Sequence, residues 1–382
     1  MKIIPGICLL LPLMLLGACG GGSEGGNGSV TNQENTTLFA ETSVSEITIA
    51  EVDLSVQDFA AYVAQAPQDW QDIVGPINNA RATLGRILFY DTRLSSNNEV
   101  SCASCHAQEA AFSDPRNNNT TSLGVNGSTA KNSPQLTNVA LHPGGRMFWN
   151  ERAEHLVDQA DDPIQDTNEM NETFPALLVE LAETDFYEQL FINAFENTPG
   201  NNITQQRLQE AIAEFEKTLL SFNSPFDNNN LNPQAENGLA VYNTNNNECI
   251  NCHGRAEPDA SFNMVLDAGI AAGGGIGVFP QRIDIGLQQD DADTTSFKAG
   301  SLRNVAVTAP FTHVGQLETL QEVMDFYASA PGSEPIARPT TDPRVLNIGL
   351  NNQDRQQLIA FLEALTDQSF LTNPLFADPF FQ

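Results

Sequence analysis

Basic residues are scarce in this chain. Lysine and arginine number 17 against 48 acidic residues, a formal charge of −31 over 382 residues. A surface of that sign repels phosphate backbones and anionic lipid headgroups, which excludes nucleic acid as a partner. It suits a basic or metal-bearing partner, and in the plainest reading it keeps the chain soluble. Strand-like alternation is also scarce, and asparagine-rich stretches such as Asn117 to Asn119, Asn228 to Asn230 and Asn243 to Asn247 read as loops. Tryptophan is limited to two positions, histidine to five and cysteine to six, so each can be weighed singly. What is present is enough apolar residue, 41 %, for packed cores, and enough length for two ordinary domains.

The N-terminus reads as a targeting segment. "MKIIPGICLLLPLMLLGACGGG" has one lysine, an apolar run too short to span a bilayer with its flanks, and then small residues. "LGAC", Leu16 to Cys19, looks like a bacterial lipobox, which implies cleavage of residues 1–18 and lipidation of Cys19. The alternative is an ordinary secretory signal cut nearby. Gly20 stands where an aspartate would signal inner-membrane retention, so the expected address is the periplasmic side, lipid-anchored to the outer membrane. Residues 19–52, rich in Gly, Ser, Asn and Thr, read as a flexible tether.

With Cys8 in the signal and Cys19 carrying lipid, four cysteines remain, and they form two CxxC pairs. Disulfides, a zinc site or redox chemistry accommodate such pairs. None of these needs a histidine directly after the second cysteine, yet both copies have one: "EVSCASCHAQEAAFSD" and "NECINCHGRAEPDASF". Covalent haem attachment does need it. Two thiols add to the porphyrin vinyl groups and the adjacent imidazole reaches the iron. The expectation is therefore two haem c groups, one on Cys102, Cys105 and His106, the other on Cys249, Cys252 and His253. A zinc site built from all six side chains is the competitor.

The surroundings suggest a duplicated unit. "TLGRILFYD" (Thr83 to Asp91) precedes the first site with helical spacing of Leu84, Ile87 and Leu88. "NGLAVYN" (Asn237 to Asn243) precedes the second, with Gly238 where Gly85 stood. Further helices are predicted over Arg207 to Phe222, with Leu208, Ile212, Phe215 and Leu219 on one stripe, and over Asp354 to Leu365. "TLQEVMDFY" opens with Thr319 three residues before Glu322, a capping box. The glycine run Gly273 to Gly277 fails the spacing of a nucleotide loop and reads as a loop. The expected fold is mainly α, two cytochrome c-like haem domains with long loops.

Several longer motifs, in order, resemble the bacterial di-haem cytochrome c peroxidases and their relatives of the MauG type. They are "LGRILFYDTRLSSNNEVSCASCH", "KNSPQLTNVAL", "MFWNERAEHLVDQADDPIQDTNEM", the second CxxCH, and "FKAGSLRNVAVTAPFTHVGQLETLQEVMDFY". The resemblance implies a peroxidatic haem domain over 53–223 and an electron-transfer haem domain over 224–382, whose last helix packs back on the first. It assigns peroxide chemistry to the His106 haem, proton shuttling to Glu169 with Gln159 in support, and an electron relay between the haems to Trp149. Trp70 matches nothing and reads as packing. The resemblance also implies a calcium ion held by carbonyl oxygens of Asn132, Thr308 and Pro310. His313 matches a histidine near the second haem, expected to hydrogen-bond instead of ligating iron; His142 and His155 match nothing and read as surface positions.

Three departures bear on subtype. Many of these peroxidases carry a capping histidine in the loop after the first haem, and here the matching position is Val125, which predicts an open iron. The matching sixth-ligand position of the second haem is Tyr327, as in MauG-type enzymes, with Met324 one turn back as rival. The family's Asp-Gly after the tryptophan is Asn150-Glu151, which puts the local turn in doubt. Three functions compete: peroxide reduction with electrons from a cytochrome c or cupredoxin; MauG-like oxidation of tryptophan or tyrosine side chains of a dedicated protein substrate; and a non-catalytic di-haem electron carrier.

Overall fold

Side-chain caps set where the helices of this computed structural model begin. Asn78 accepts the N–H of Arg81 and opens α1 (Asn79–Tyr90). Pro175 sits in the first turn of α2 (Phe174–Glu183), where its missing N–H has no partner to lose. After α3 (Tyr187–Ala194), Thr204 caps α4 (Gln205–Glu216) and Asn232 caps α5 (Pro233–Tyr242). The Thr319–Glu322 box forms at α6 (Leu320–Ala328), with both reciprocal bonds at 3.1 Å. Asn351 and Asp354 make a second box at α7 (Asn352–Glu363). The only strands among the described residues pair as two short antiparallel hairpins: β1 (Leu123–Gly124) with β2 (Gly127–Ser128), and β3 (Ile276–Gly277) with β4 (Phe297–Lys298). The molecule is mainly helical with little sheet.

The structure describes residues 52–115, 122–129, 131–142, 145–197, 199–200, 202–244, 249, 253, 276–277, 297–298, 300–313, 315–328 and 348–380. The signal segment, Cys8, Cys19, the tether and Cys252 lie outside them. So do Asn117 to Asn119, most of Asn243 to Asn247, and Gly273 to Gly275.

Two helix crossings organise the core, and they are built alike. Where α1 crosses α4, a Cβ on Gly85 would fall 1.8 Å from the Ala211 carbonyl oxygen, with Phe215 against the same spot. Where α5 crosses α7, a Cβ on Gly238 would fall 1.9 Å from the Gln357 carbonyl oxygen, with Phe361 beside it. Each glycine lets two helix backbones touch. The likeness extends further. Asn138 and Asn304 both adopt φ +57° and start a short 3₁₀ turn. Their N–H groups donate to the carbonyls of Leu219 and Leu365, and their side-chain oxygens accept from the N–H groups of Ser221 and Asp367.

These bonds also explain where the predicted Arg207–Phe222 helix falls short. The helix stops at Glu216, because the backbone after it serves Asn138 instead of its own ladder. Leu219 is still fully buried, as its place on the apolar stripe requires. Trp70 is fully buried among Val63, Val74, Leu141 and Leu220, with the Arg303 guanidinium 5.5 Å from its ring. Arg303 is itself buried and paired with Asp227. The chain after α7 returns to the first half: Phe370 and Phe376 pack with Phe59, Phe89, Phe112 and Phe215, and Val52 bridges to Phe380. Residues 47–382 group as one unit. The expected division near residue 223 falls between α4 and α5, at an asparagine bonded to Asp367.

Candidate active site

α1 delivers the chain through a turn at Asp91 to the one-turn helix Cys102–Cys105, capped by a Ser101–Ser104 box. Cys102 and Cys105 are not joined to each other. The His106 ring follows with Nδ1 2.8 Å from the Phe112 carbonyl oxygen and also facing the Pro134 carbonyl. His253 repeats the arrangement, Nδ1 lying 3.3 Å from the Gly300 carbonyl oxygen. A carbonyl accepts only from a protonated Nδ1, which leaves the Nε2 lone pair for a metal. Burial lowers the pKa of both imidazoles, that of His253 to about 4, so both rings are neutral and able to ligate. Burial also raises the Cys102 thiol, which suits a thioether-forming position better than a free thiolate or a zinc ligand. Among the described residues no cluster of three His, Cys, Asp or Glu side chains is arranged to hold a metal ion. The carbonyl-turned imidazoles after each CxxC pair fit two haem c groups; Cys249 is half-buried against the α5–α7 cluster.

Glu169 sits at the end of the turn after the short helix Asp161–Gln165, half-buried. The turn is tied by Glu169 N–H to the Asp166 carbonyl and Met170 N–H to the Pro163 carbonyl, both at 3.1 Å. Burial, with Asp166 and Asp162 adding and Arg152 opposing, pushes its carboxyl up to about 7. Its charge adds slightly to the rise of the Cys102 thiol, which places the carboxyl in the neighbourhood of the first CxxCH site. The β1–β2 hairpin is seated on the same turn. The Val125 N–H donates to the Glu169 carbonyl at 2.7 Å, and the Asn126 amide donates to the Thr167 carbonyl at 2.6 Å. A Cβ on Gly124 would fall 2.0 Å from the Asn168 carbonyl oxygen. Cys105 Sγ lies 3.7 Å from the Leu123 carbonyl on the other side of the hairpin. The structure thus brings Cys105, Val125 and Glu169 together. Gln159 ends the helix Leu156–Gln159 one segment earlier, half-buried. Glu216, on α4, is a second buried acid near Cys102, raised to about 8 by burial, which no motif singled out.

Between the two halves the bonding is reciprocal. The Asn132 N–H donates to the His313 carbonyl at 2.8 Å, and the Lys298 N–H donates to the Trp149 carbonyl at 2.7 Å. In the duplicated sequence Asn132 corresponds to Lys298, and Trp149 to His313. The two rings meet edge to face, 6.3 Å between centroids, and the Trp149 indole N–H donates to the Asn132 carbonyl at 2.7 Å. His313 is fully buried. Asn132 also reaches the Pro310 carbonyl with its amide at 2.7 Å, and Thr308 precedes this on the same strand of chain. Of the expected calcium set, Asn132 and Pro310 are thus in direct contact.

The turn after Trp149 forms despite lacking the family's glycine. Glu151 adopts φ +57°, a conformation that disfavours a residue with Cβ by about 1 kcal/mol. Its carboxylate lies 3.1 Å from His142 Nε2. His142, expected at the surface, is buried at 7 % exposure, because the turn and the 3₁₀ segment Val139–Leu141 close over it. His155 is exposed. On α6, Met324 is buried in the cluster made by α5 and α7, while Tyr327 packs partly buried beside Phe326.

The sequence matches the family model of the di-haem cytochrome c peroxidases over residues 79–235. It is 32 % identical over 298 residues to the methylamine utilization protein MauG of Methylophilus methylotrophus, covering 76 % of this chain and 83 % of that one. It is 29 % identical over 337 residues to the cytochrome c551 peroxidase of Nitrosomonas europaea, covering 84 % of this chain and 90 % of that one. The fold aligns at a TM-score of 0.66 and 30 % identity with a crystal structure of a MauG-like protein associated with microbial copper homeostasis, covering 80 % of this chain and 94 % of that one. With paired CxxCH sites, a duplicated helical scaffold and relatives of this extent, the chain belongs to the di-haem cytochrome c peroxidase family, which includes the MauG proteins.

Proposed function

We propose that this chain is a di-haem c-type peroxidase: it reduces hydrogen peroxide to water at the His106 site, with electrons relayed through the His253 site and Trp149 from a small redox protein such as a cytochrome c or cupredoxin. Membership of an oxidoreductase family acting on peroxide sets the reaction class. The observation that carries the assignment is Glu169, a half-buried carboxyl with a pKa near 7 on the turn that seats the hairpin reaching Cys105.

Haem bound at Cys102, Cys105 and His106 would supply an iron able to accept peroxide and take up its two oxidising equivalents. The rest falls to the chain. Glu169, with its carboxyl pKa near 7, would take a proton from one oxygen of bound peroxide and return it to the oxygen that leaves as water. The hairpin bond from Val125 to the Glu169 backbone fixes the carboxyl's turn, and the valine side chain offers no ligand to close the site. Gln159 is the supporting polar group. Trp149, bonded to Asn132 and edge-on to His313, is placed between the halves to pass electrons. Asn132, Thr308 and Pro310 would hold calcium by their carbonyl oxygens, and the Asn132 amide bonded to the Pro310 carbonyl ties two of these residues together.

A second reading, MauG-like oxidation of tryptophan or tyrosine side chains of a partner protein, is favoured by Tyr327. Both Met324 and Tyr327 pack on the α5–α7 cluster, but Tyr327 is the less buried of the two, and a phenolate at that position would stabilise oxidised iron. The carrier reading leaves Glu169 and Val125 without a role. The proposed location is the periplasmic side, anchored by lipid at Cys19; no helix among the described residues is long and apolar enough to cross a membrane. Steady-state peroxide consumption with reduced cytochrome c or an artificial donor tests the peroxidase directly, and no turnover would overturn it. A long-lived oxidised state after peroxide alone would instead favour the MauG-like reading.

A further inference from the structure

The cluster Glu151, His142 and Lys298 lies at the seam between the two halves and is used by nothing described above. Its position is informative because the chain contains its own control. The turn carrying Trp149 is repeated by the turn carrying His313, closed by the bridges Met147–Ala153 and Phe311–Leu317. In the second copy the left-handed position is Gly315, at φ +66°; in the first it is Glu151, at φ +57°. A residue with a side chain thus occupies a position where glycine serves the same geometry, and its carboxylate is the feature the second copy lacks. It lies 3.1 Å from His142 Nε2, and the two side chains are only 12 % and 4 % exposed.

His142 is neutral, its pKa driven to about 3 by burial and by Lys298, so its Nε2–H donates to Glu151. Across from this pair, burial lowers the pKa of the half-buried Lys298 ammonium to about 8, with Glu151 opposing the fall. Lys298 belongs to the other half of the chain, and its N–H already donates to the Trp149 carbonyl at 2.7 Å. On the mate side of the seam the corresponding positions are Asn132 and Thr308, two of the residues expected to hold calcium. One side would be closed by a divalent ion, the other by a lysine.

We infer that Glu151 is a positioning residue for Trp149: its attraction to Lys298 across the seam, with His142 holding the carboxylate, fixes the turn that carries the indole. This rests on Trp149 being the electron bridge. The test uses the holoprotein with both haems loaded, and reads the rate at which an electron delivered by a reductant pulse to one haem equilibrates with the other.

Glu151→Gln keeps the hydrogen bond from His142 and removes the charge; Lys298→Met removes the other partner but keeps the backbone bond. Each is expected to slow equilibration roughly tenfold, and the double variant no further, the signature of one shared interaction. Glu151→Gly, which suits the left-handed turn, is expected to hold or raise the melting temperature and still slow equilibration by about the same factor. Wild-type rates in Glu151→Gln or Glu151→Gly, or additive losses in the double variant, would overturn the inference. Trp149→Phe is the separate control. If it transfers electrons at the wild-type rate, the bridge reading fails; if it is slow while the Glu151 variants are not, only the clamp fails.

Discussion

Replacing Glu169 by Gln separates what the site does from what it costs the fold. The carboxyl titrates near pH 7 instead of 4.5. A shift of that size means that ionising Glu169 in the folded chain is disfavoured by about 3 kcal/mol relative to solvent, as an upper bound. The folded state therefore binds more protons than the unfolded one between pH 4.5 and 7. Stability then falls as pH rises through that window, and the loss is complete above it. Glutamine has no such term. Glu169→Gln is expected to match wild type at pH 4 and to exceed it by up to about 3 kcal/mol at pH 8. Activity moves the other way. Loss of a positioned acid–base group lowers the peroxide reaction by roughly 10²–10⁴-fold, about 3–5 kcal/mol of barrier. Only the ionised carboxylate accepts the first proton, so wild-type kcat/KM for peroxide falls about tenfold per unit below pH 7, and the variant's profile is flat there. Chemical denaturation at the two pH values and stopped-flow reaction with peroxide measure both arms. A variant that retains a third of the wild-type rate, or keeps the inflection near pH 7, would refute the reasoning.

At the second haem, Tyr327→Phe is expected to abolish a His/Tyr spectral signature while Met324→Leu leaves it intact; the reverse outcome would move the ligand to Met324. Gly85→Ala drives a methyl to 1.8 Å from the Ala211 carbonyl, an overpacked contact that costs about 3 kcal/mol and lowers the melting temperature by about 5–10 °C. An unchanged melting curve would show that the α1–α4 crossing yields more easily than the geometry implies. Chelating divalent ions is expected to slow electron exchange between the haems, with recovery on adding calcium but not magnesium, since the expected oxygen ligands suit the larger ion; exchange indifferent to chelation would remove calcium from the account.

Much of this was legible in the residues because it depends on local spacing. The CxxCH pairs, the Thr319–Glu322 capping box, the helix cores and the correspondence of Gly238 to Gly85 all follow from patterns a few residues long. What the glycines are for was not legible, since it needs the Ala211 and Gln357 carbonyls, which are distant in sequence. The end of α4 was misplaced for the same reason: its apolar stripe continues to Leu219, while the backbone there is claimed by Asn138. His142 read as surface because a lone histidine in a polar loop has no periodic context, and its partner Glu151 was seen only as a departure from the family turn. "LTNVAL" and "LRNVAV" belong to the family motifs, yet their shared left-handed asparagine emerges only from the backbone.

The duplication frames what differs. Two copies of one scaffold, each with a glycine crossing, a left-handed asparagine and a carbonyl-anchored histidine, would by themselves hold two equivalent haems. Function needs them unequal: one iron must stay open to peroxide and the other must exchange electrons. Inequality arises where one copy carries a residue whose counterpart cannot do the same chemistry. Glu216 on α4 corresponds to Leu362 on α7, so only the first pocket has that buried acid. Trp149 corresponds to His313, so the indole is offered from one side of the seam alone. Glu151 corresponds to Gly315, so only the indole's turn carries a charge to be gripped. The backbone bonds across the seam remain reciprocal, which places these asymmetries in side chains on a common frame.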